Sequence, residues 1–104
     1  MGRKKERLKV YIAGRVSGLP YEEVRANFAR HAAYVRRAWG HQKPHIVLPT
    51  VICRPEWSWW HCMRVCLRAL RTCDVAYFMP NWKQSRGARI EYFFAKVWGL
   101  GIIK

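Results

Sequence analysis

Acidic residues are scarce in this sequence. Six aspartates and glutamates stand against 20 lysines and arginines, which gives a formal net charge of +14. So large an excess favours phosphorylated or polyanionic partners, although net charge bears on binding and solubility and not on fold. The composition therefore admits a nucleotide substrate or a nucleic-acid partner.

Long apolar runs are also missing. No stretch of 18 or more apolar residues occurs, and the basic N-terminus leads into a short strand instead of the apolar core of a signal peptide. We therefore expect a cytoplasmic protein with no membrane partner. A chain of 104 residues predicts one domain that buries about two-thirds of its unfolded surface. We assign residues 1–7 to a basic, flexible tail and residues 8–104 to the domain.

The standard nucleotide and metal motifs are absent as well. The glycine-containing loop at 14–20 matches neither G-x-G-x-x-G nor a Walker A sequence. The four cysteines have the spacing C-x8-C-x3-C-x6-C, which lacks the C-x2-C pair of common zinc sites. Three of them recur along one helical pattern, so we expect reduced thiols in a core rather than a disulfide framework. We expect neither a metal nor a cofactor.

What the sequence does contain is a regular alternation of strand and helix patterns. The predicted strands are 9–13, 46–48, 75–79 and 101–103, and the predicted helices are 21–39, 58–72 and 86–98. Such alternation favours right-handed βαβ units. We predict a small three-layer α/β domain of the flavodoxin or Rossmann type, with a parallel sheet in the order 2-1-3-4 and helices on both faces. Its ligand would bind at the carboxyl ends of the strands, where the loops 14–20, 49–58 and 80–87 gather.

The stretch from Asn81 to Glu91 connects the third strand to the last helix. Ser85 falls at the N-cap position, and Gly87 lets a ligand approach the first helical turn. Unpaired amides and the helix dipole make such a terminus an anion site. Glu91 lies six residues after Ser85, about 9 Å along the helix. This arrangement suits a phosphorylated sugar whose far end meets the carboxylate. The alternative is an ordinary capped helix on which Glu91 is a solvated charge.

Several short segments, in this order, match a known family. They are Lys9 to Gly14, Trp39-Gly40-His41, Leu48-Pro49, Ser58-Trp59 with Met63-Arg64, Cys73-Asp74, and Trp82 through Glu91. From Lys9 onward the sequence resembles a small, uncharacterised bacterial and phage domain related to the nucleoside 2-deoxyribosyltransferases and to the 2′-deoxynucleoside 5′-monophosphate N-glycosidases. The S-x-G-x-x-x-E element formed by Ser85, Gly87 and Glu91 is the most specific part of the match.

The resemblance implies a retaining attack on the N-glycosidic bond of a deoxynucleotide, followed by hydrolysis or by transfer to a second base. Glu91 would match the nucleophile, because an oxocarbenium-like transition state needs an anion beside it. Tyr11 would match a tyrosine at the pocket wall. The groups expected around the phosphate and the sugar are Gly14, Arg15, Ser17, Gly18, Ser85, Arg86 and Gly87. The resemblance also implies a homodimer or a larger homo-oligomer.

Two positions depart from the family's pattern. Cys66 occupies the position of an aspartate that orients the sugar and the nucleophile, and a thiol is a weaker acceptor than a carboxylate. Arg15 replaces a proline after the first loop's glycine. The alternative function is therefore a protein that binds nucleotides without turnover, or that binds nucleic acid through its tryptophans and the basic strip Arg64, Arg68 and Arg71.

Overall fold

The computed structural model describes residues 8–16, 18–54 and 56–104. The strands are β1 (Lys9–Ala13), β2 (His45–Val47), β3 (Val75–Phe78) and β4 (Gly101–Ile103), and the helices are α1 (Tyr21–Ala38), α2 (Pro49–Ile52), α3 (Trp59–Arg71) and α4 (Arg86–Val97). Short 3-10 turns lie at Gly40–Gln42 and Trp82–Gln84. The predicted tail at 1–7 and the candidate site residue Ser17 lie outside the described residues.

The four strands form one parallel sheet in the order β2-β1-β3-β4, which confirms the predicted α/β architecture and strand order. β1 is central, and its residues from Val10 to Ala13 have no exposed surface. Because β1 and β3 are neighbours and parallel, their carboxyl ends and the loops that follow them lie at the same edge of the sheet.

Helices cover both faces of this sheet. Side chains alternate along a strand, so Val10 and Ile12 pack against the buried face of α1, while Tyr11 and Ala13 point to the opposite face. That second face is covered by α3 and α4, whose buried side chains share one core cluster with Tyr11. The alternation therefore places Tyr11 beneath α4.

The segment predicted as a loop at 49–58 is in part a short helix. α2 begins at Pro49, a residue that suits the first position of a helix because its missing N–H would be unpaired there in any case. α3 then begins after Ser58, whose Oγ accepts a hydrogen bond from the backbone N–H of His61 at 3.1 Å. Among the described residues, no helix is long and apolar enough to cross a membrane.

The cysteines overturn one prediction. Cys53 and Cys62 are joined by a disulfide, and their Cα atoms lie 5.6 Å apart. Cys66 and Cys73 are buried and are not part of a disulfide. The expectation of four reduced thiols is therefore wrong for Cys53 and Cys62. Helical periodicity places Cys62 on α3. It carries no information about the position of Cys53, which the end of α2 brings next to α3.

Candidate active site

A cavity of about 450 Å³ opens at the carboxyl edge of the sheet, a size typical of small-molecule sites. Its walls come from the loop after β1, the segment 49–59, one face of α3 and the first turns of α4. Six of the predicted site residues line it: Gly14, Gly18, Cys66, Ser85, Gly87 and Glu91. The structure thus brings together the three loops that were expected to converge.

Glu91 is the buried carboxylate of this cavity. Its side chain is 5% exposed, and the Oη of Tyr11 donates a hydrogen bond to its Oε2 at 2.5 Å. Burial raises the pKa of Glu91 to about 7, although the Tyr11 hydrogen bond acts in the opposite direction. Burial and the neighbouring carboxylate raise the pKa of Tyr11 well above its usual value, so Tyr11 stays a protonated donor. Glu91 is therefore not the solvated charge of the alternative interpretation.

The helix itself explains why this carboxylate is buried. Ala88, Glu91 and Ala95 form the buried stripe of α4, at spacings of three and four residues. Glu91 therefore occupies a core position between two small alanines, and its carboxylate reaches the hydroxyl of Tyr11 on β1. Tyr11 has no exposed surface. Tyr11 therefore contacts Glu91 from the side of the sheet. The resemblance implied a tyrosine at the pocket wall, but Tyr11 is not among the residues that line the cavity.

The N-terminus of α4 borders the same cavity. Ser85 is the N-cap, and its Oγ accepts a hydrogen bond from the N–H of Ala88 at 3.1 Å. The backbone N–H of Arg89 is satisfied by the carbonyl of Ser85 at 3.0 Å. For the amides of Arg86 and Gly87 no acceptor is found among the described residues, as expected for a first helical turn. Those amides are the available donors for an anion.

Gly87 also allows α4 to approach α3. A Cβ at this position would lie 3.1 Å from the sulfur of Met63, closer than most side-chain contacts. Gly14 is even more tightly enclosed, because a Cβ there would lie 2.1 Å from the methyl carbon of Met79. The loop that follows Gly14 is fixed by Asn81, whose Oδ1 accepts a hydrogen bond from the backbone N–H of Arg15 at 3.1 Å. The loops after β1 and β3 are thereby connected.

The two arginines predicted at the site lie outside the cavity lining. The Nη1 of Arg15 is 3.4 Å from Oε1 of Gln84. The guanidinium of Arg86 stacks over Trp59, with its central carbon 4.4 Å from the ring centroid. Their positions place two positive charges near the N-terminus of α4 rather than beside Glu91.

The aromatic and apolar wall was not predicted from the sequence. It is formed by residues of the first loop, of the segment 49–59 and of α3: Val16, Leu19, Tyr21, Pro49, Trp57, Trp59 and Met63. The sequence suggested a role for the tryptophans only in the alternative function, nucleic-acid binding. A signal was present, because Trp57 lies in the loop 49–58, which was predicted to reach the site, and Trp59 follows that loop directly.

Cys66 lines the same cavity as the candidate nucleophile Glu91. Burial raises the pKa of its thiol to about 12. Its Sγ lies 3.4 Å from that of Cys53 and 3.8 Å from that of Cys62. The disulfide and this thiol therefore form one sulfur-rich part of the cavity wall.

Residues 8–104 match the family model described as a domain of unknown function, DUF4406. The chain belongs to the DUF4406 family. Among solved structures, this DUF4406 chain is similar to one titled 2-desoxiribosyltransferase from Leishmania mexicana, with a TM-score of 0.62 and 17% sequence identity. The match covers 91% of the DUF4406 chain but 61% of that structure, so the chain spans less than two-thirds of its length. No curated protein sequence matches. The similarity shows a deoxyribosyltransferase-like fold.

Proposed function

We propose that this DUF4406 chain cleaves the N-glycosidic bond of 2′-deoxynucleoside 5′-monophosphates, with Glu91 as the nucleophile. The observation that carries the proposal is a buried carboxylate, hydrogen-bonded to Tyr11 and lining a cavity that also includes the N-terminus of a helix. The fold is shared with a structure titled as a 2-desoxiribosyltransferase, which supports nucleoside chemistry as the substrate class.

The phosphate would bind at the first turn of α4. The hydroxyl of Ser85 can donate a hydrogen bond while its oxygen caps the helix, and the amides of Arg86 and Gly87 add two further donors. Arg15 and Arg86 supply positive charge nearby. Glu91 lies about 9 Å further along the helix, so a phosphate held at Ser85 leaves the sugar to extend toward the carboxylate.

The base would occupy the aromatic wall. Trp57 and Trp59 are both half-buried and line the cavity, and Tyr21 lies on its rim. Indole and phenol rings offer flat apolar surfaces on which any base can stack, a contact that tolerates all base identities. This wall therefore supports binding of the base without fixing which base is preferred.

The chemistry follows from the position of Glu91. A carboxylate oxygen attacks C1′ of the deoxyribose, the bond between C1′ and the base nitrogen breaks, and the departing base takes its electron pair and then a proton from water. Water next attacks C1′, the ester bond to Glu91 breaks, and the carboxylate is regenerated with release of a proton. A second base in place of water would give transfer. Among the described residues Glu91 is the one carboxylate that lines the cavity, so no second acid is assigned.

Base release from the deoxynucleoside 5′-monophosphates tests the proposal directly. Chromatography should detect free base with the wild-type chain and none with Glu91→Gln, while calorimetry shows that the variant still binds the nucleotide. Glu23→Gln is the matched control, because Glu23 is exposed on the first turn of α1. Unchanged activity in Glu91→Gln would contradict the proposal. Nucleotide binding with no base release by the wild type would favour the non-catalytic alternative.

A second candidate function is nucleic-acid binding by the outer face of α3. Arg64, Arg68 and Arg71 are all exposed and follow one another at spacings of four and three residues, which aligns them along the helix. Such a surface would bind polyanions with a steep salt dependence. Replacing the three arginines with glutamine should weaken single-stranded DNA binding in a gel-shift assay and leave nucleotide binding unchanged. Equal DNA binding by the variant and the wild type would eliminate this candidate.

A further inference from the structure

Three cysteines form a cluster in the cavity wall that the glycosidic chemistry does not use as a unit. The sulfur atoms of Cys53, Cys62 and Cys66 all lie within 4.8 Å of one another, and all three residues line the cavity. We call this group the thiol cluster. A disulfide that only stabilises the fold needs two sulfurs, whereas here a third sulfur contacts both members of the pair.

The distances around Cys66 are those of a metal-ligand triangle. Its Sγ lies 3.4 Å from the Sγ of Cys53 and 3.8 Å from that of Cys62. Zinc binds thiolates at about 2.3 Å in tetrahedral geometry, which places two sulfur ligands roughly 3.8 Å apart. The side from Cys66 to Cys62 therefore already has this length, the side to Cys53 at 3.4 Å is somewhat shorter, and the third side can open once the disulfide between Cys53 and Cys62 is reduced.

The backbone holds these residues on rigid elements. Cys62 and Cys66 are separated by four residues on α3, so they lie on one face of the helix, the same spacing that places two histidines on zinc in H-E-x-x-H motifs. Cys53 caps the C-terminus of α2, where its backbone N–H donates to the carbonyl of Pro49 at 2.9 Å. Two ligands from one helix and a third from the adjacent end of α2 give a three-ligand set once the disulfide is reduced.

We propose that the reduced thiol cluster binds one Zn²⁺ ion through the three thiolates of Cys53, Cys62 and Cys66. A dithiol reductant supplies the two electrons and two protons that convert the disulfide into two thiols, and Zn²⁺ then displaces one proton from each of the three thiols. Sulfur donors select soft or borderline metals over Mg²⁺ and Ca²⁺. Since all three ligands border the cavity, the fourth ligand would be a water molecule or a bound molecule in that cavity.

The sequence predicted no metal site, and the reason lies in the spacing of the cysteines. The spacing of the cysteines lacks the C-x2-C pair, and the C-x8-C segment gives no indication that α2 folds back onto α3. The ligand set is visible only after the fold has placed the end of α2 beside the first two turns of α3.

Metal titration of the reduced protein tests this proposal without any measurement of base release. The chain is reduced with a phosphine, freed of reductant without air, and titrated with Zn²⁺ against a chromogenic chelator. We expect one equivalent of Zn²⁺ per reduced chain and none for the oxidised chain. Co²⁺ in place of Zn²⁺ should give the absorption bands of tetrahedral cobalt and an ultraviolet thiolate-to-cobalt band with the intensity of three sulfur ligands. Absence of that band in the folded, reduced wild type would overturn the proposal.

Serine variants locate the site. Cys66→Ser should lower the Zn²⁺ affinity of the reduced chain at least about tenfold, because one of three thiolate ligands is lost. Cys73→Ser is the matched control, since Cys73 is also a buried cysteine but its Sγ donates to the carbonyl of Ala69 and does not belong to the cluster. Equal Zn²⁺ affinity in Cys66→Ser and the wild type, or an equal loss in Cys73→Ser, would overturn the assignment. Circular dichroism establishes that each variant is folded.

Discussion

The phenol oxygen of Tyr11 lies 2.5 Å from Oε2 of Glu91, and both side chains are buried between β1 and α4. The pair brings a residue of the central strand into contact with one that follows it by 80 positions. Burial raises the pKa of the carboxyl to about 7, and the phenol favours its ionised form. A carboxylate that titrates near neutrality can serve as a nucleophile, but its ionisation in this environment reduces the stability of the fold.

The first prediction concerns that loss of stability. A folded-state pKa of about 7, against an ordinary value of 4.5, means that folded Glu91 holds its proton more tightly than unfolded Glu91 does. The unfolded state then binds fewer protons between these pH values, so the free energy of unfolding falls as the pH rises from 4.5 to about 7. The total loss approaches roughly 3 kcal/mol. Glu91→Gln should therefore be more stable than the wild type at pH 8 and should lose this advantage at pH 4.

Urea unfolding of the wild type and Glu91→Gln across this pH range measures the difference between their free energies of unfolding. The contributions of the other titrating groups are common to both proteins and cancel in this difference. Glu23→Gln, an exposed substitution of the same kind, should show no such pH-dependent difference. Parallel stability curves for the wild type and Glu91→Gln would show that the carboxyl does not titrate abnormally.

The second prediction concerns Tyr11→Phe. Removing the hydroxyl deletes the hydrogen bond that favours ionised Glu91, so the pKa of the carboxyl should rise further. A hydrogen bond to a charged group contributes about 1.5–3 kcal/mol, which corresponds to roughly one to two pH units. The acidic limb of the pH profile for base release should move to higher pH by that amount. Tyr77→Phe is the control, because Tyr77 lies on the neighbouring strand and its hydroxyl contacts His31 instead. An unmoved limb in Tyr11→Phe would contradict the role of the pair.

Much of the fold could be predicted because its signals are local. Apolar runs of three to five residues separated by amphipathic helices predict a parallel α/β sheet, and right-handed crossovers limit the topologies that such a sheet can adopt. Glu91 was recognisable because it is one of only six acidic residues and follows the predicted N-cap Ser85 by six positions. Its burial between Ala88 and Ala95 is known only from the structure.

The rest depends on contacts between distant segments. Pairing of Tyr11 with Glu91 depends on which face of β1 meets α4, and the disulfide depends on how α2 returns to α3. The apolar wall likewise depends on where Trp57 and Trp59 point once α3 is placed. None of these relationships leaves a periodic trace in the sequence, so reduced thiols were expected for Cys53 and Cys62, and the disulfide corrects that expectation.

The third prediction concerns Gly14. An added Cβ would lie 2.1 Å from the methyl carbon of Met79, 3.3 Å from its Cβ and 3.1 Å from Oδ1 of Asn81. The methyl group of Met79 can move, but Asn81 also holds the backbone of Arg15. Gly14→Ala should therefore destabilise the fold by about 1–3 kcal/mol and weaken nucleotide binding. Gly40→Ala, where nothing lies within 4 Å of the added Cβ, should do neither. Equal unfolding midpoints for the two variants would contradict this prediction.

The fourth prediction is that the chain self-associates, as the family resemblance implies. Phe93 and Val97 lie one turn apart on α4 and are 60% and 61% exposed, an apolar pair that a second copy can cover. Light scattering should give a mass above that of the monomer, and Phe93→Lys should lower it. Lys96→Glu, an exposed change on the same turn outside the apolar pair, is the control. A monomer mass for the wild type at working concentrations would exclude self-association.

The last prediction distinguishes between two helix termini at the cavity. Ser85 caps α4 and Ser58 caps α3 in the same way, each accepting a hydrogen bond from a backbone N–H at 3.1 Å, and both serines line the cavity. Replacing either with alanine should cost about 1 kcal/mol of stability through the lost cap. If the 5′-phosphate binds at α4, only Ser85→Ala should also reduce the preference for a deoxynucleotide over its nucleoside, because a charge-assisted hydrogen bond is lost. Calorimetry with both ligands on both variants measures this preference. A reduced preference in Ser58→Ala alone would place the phosphate at α3 and reverse the orientation of the substrate relative to Glu91.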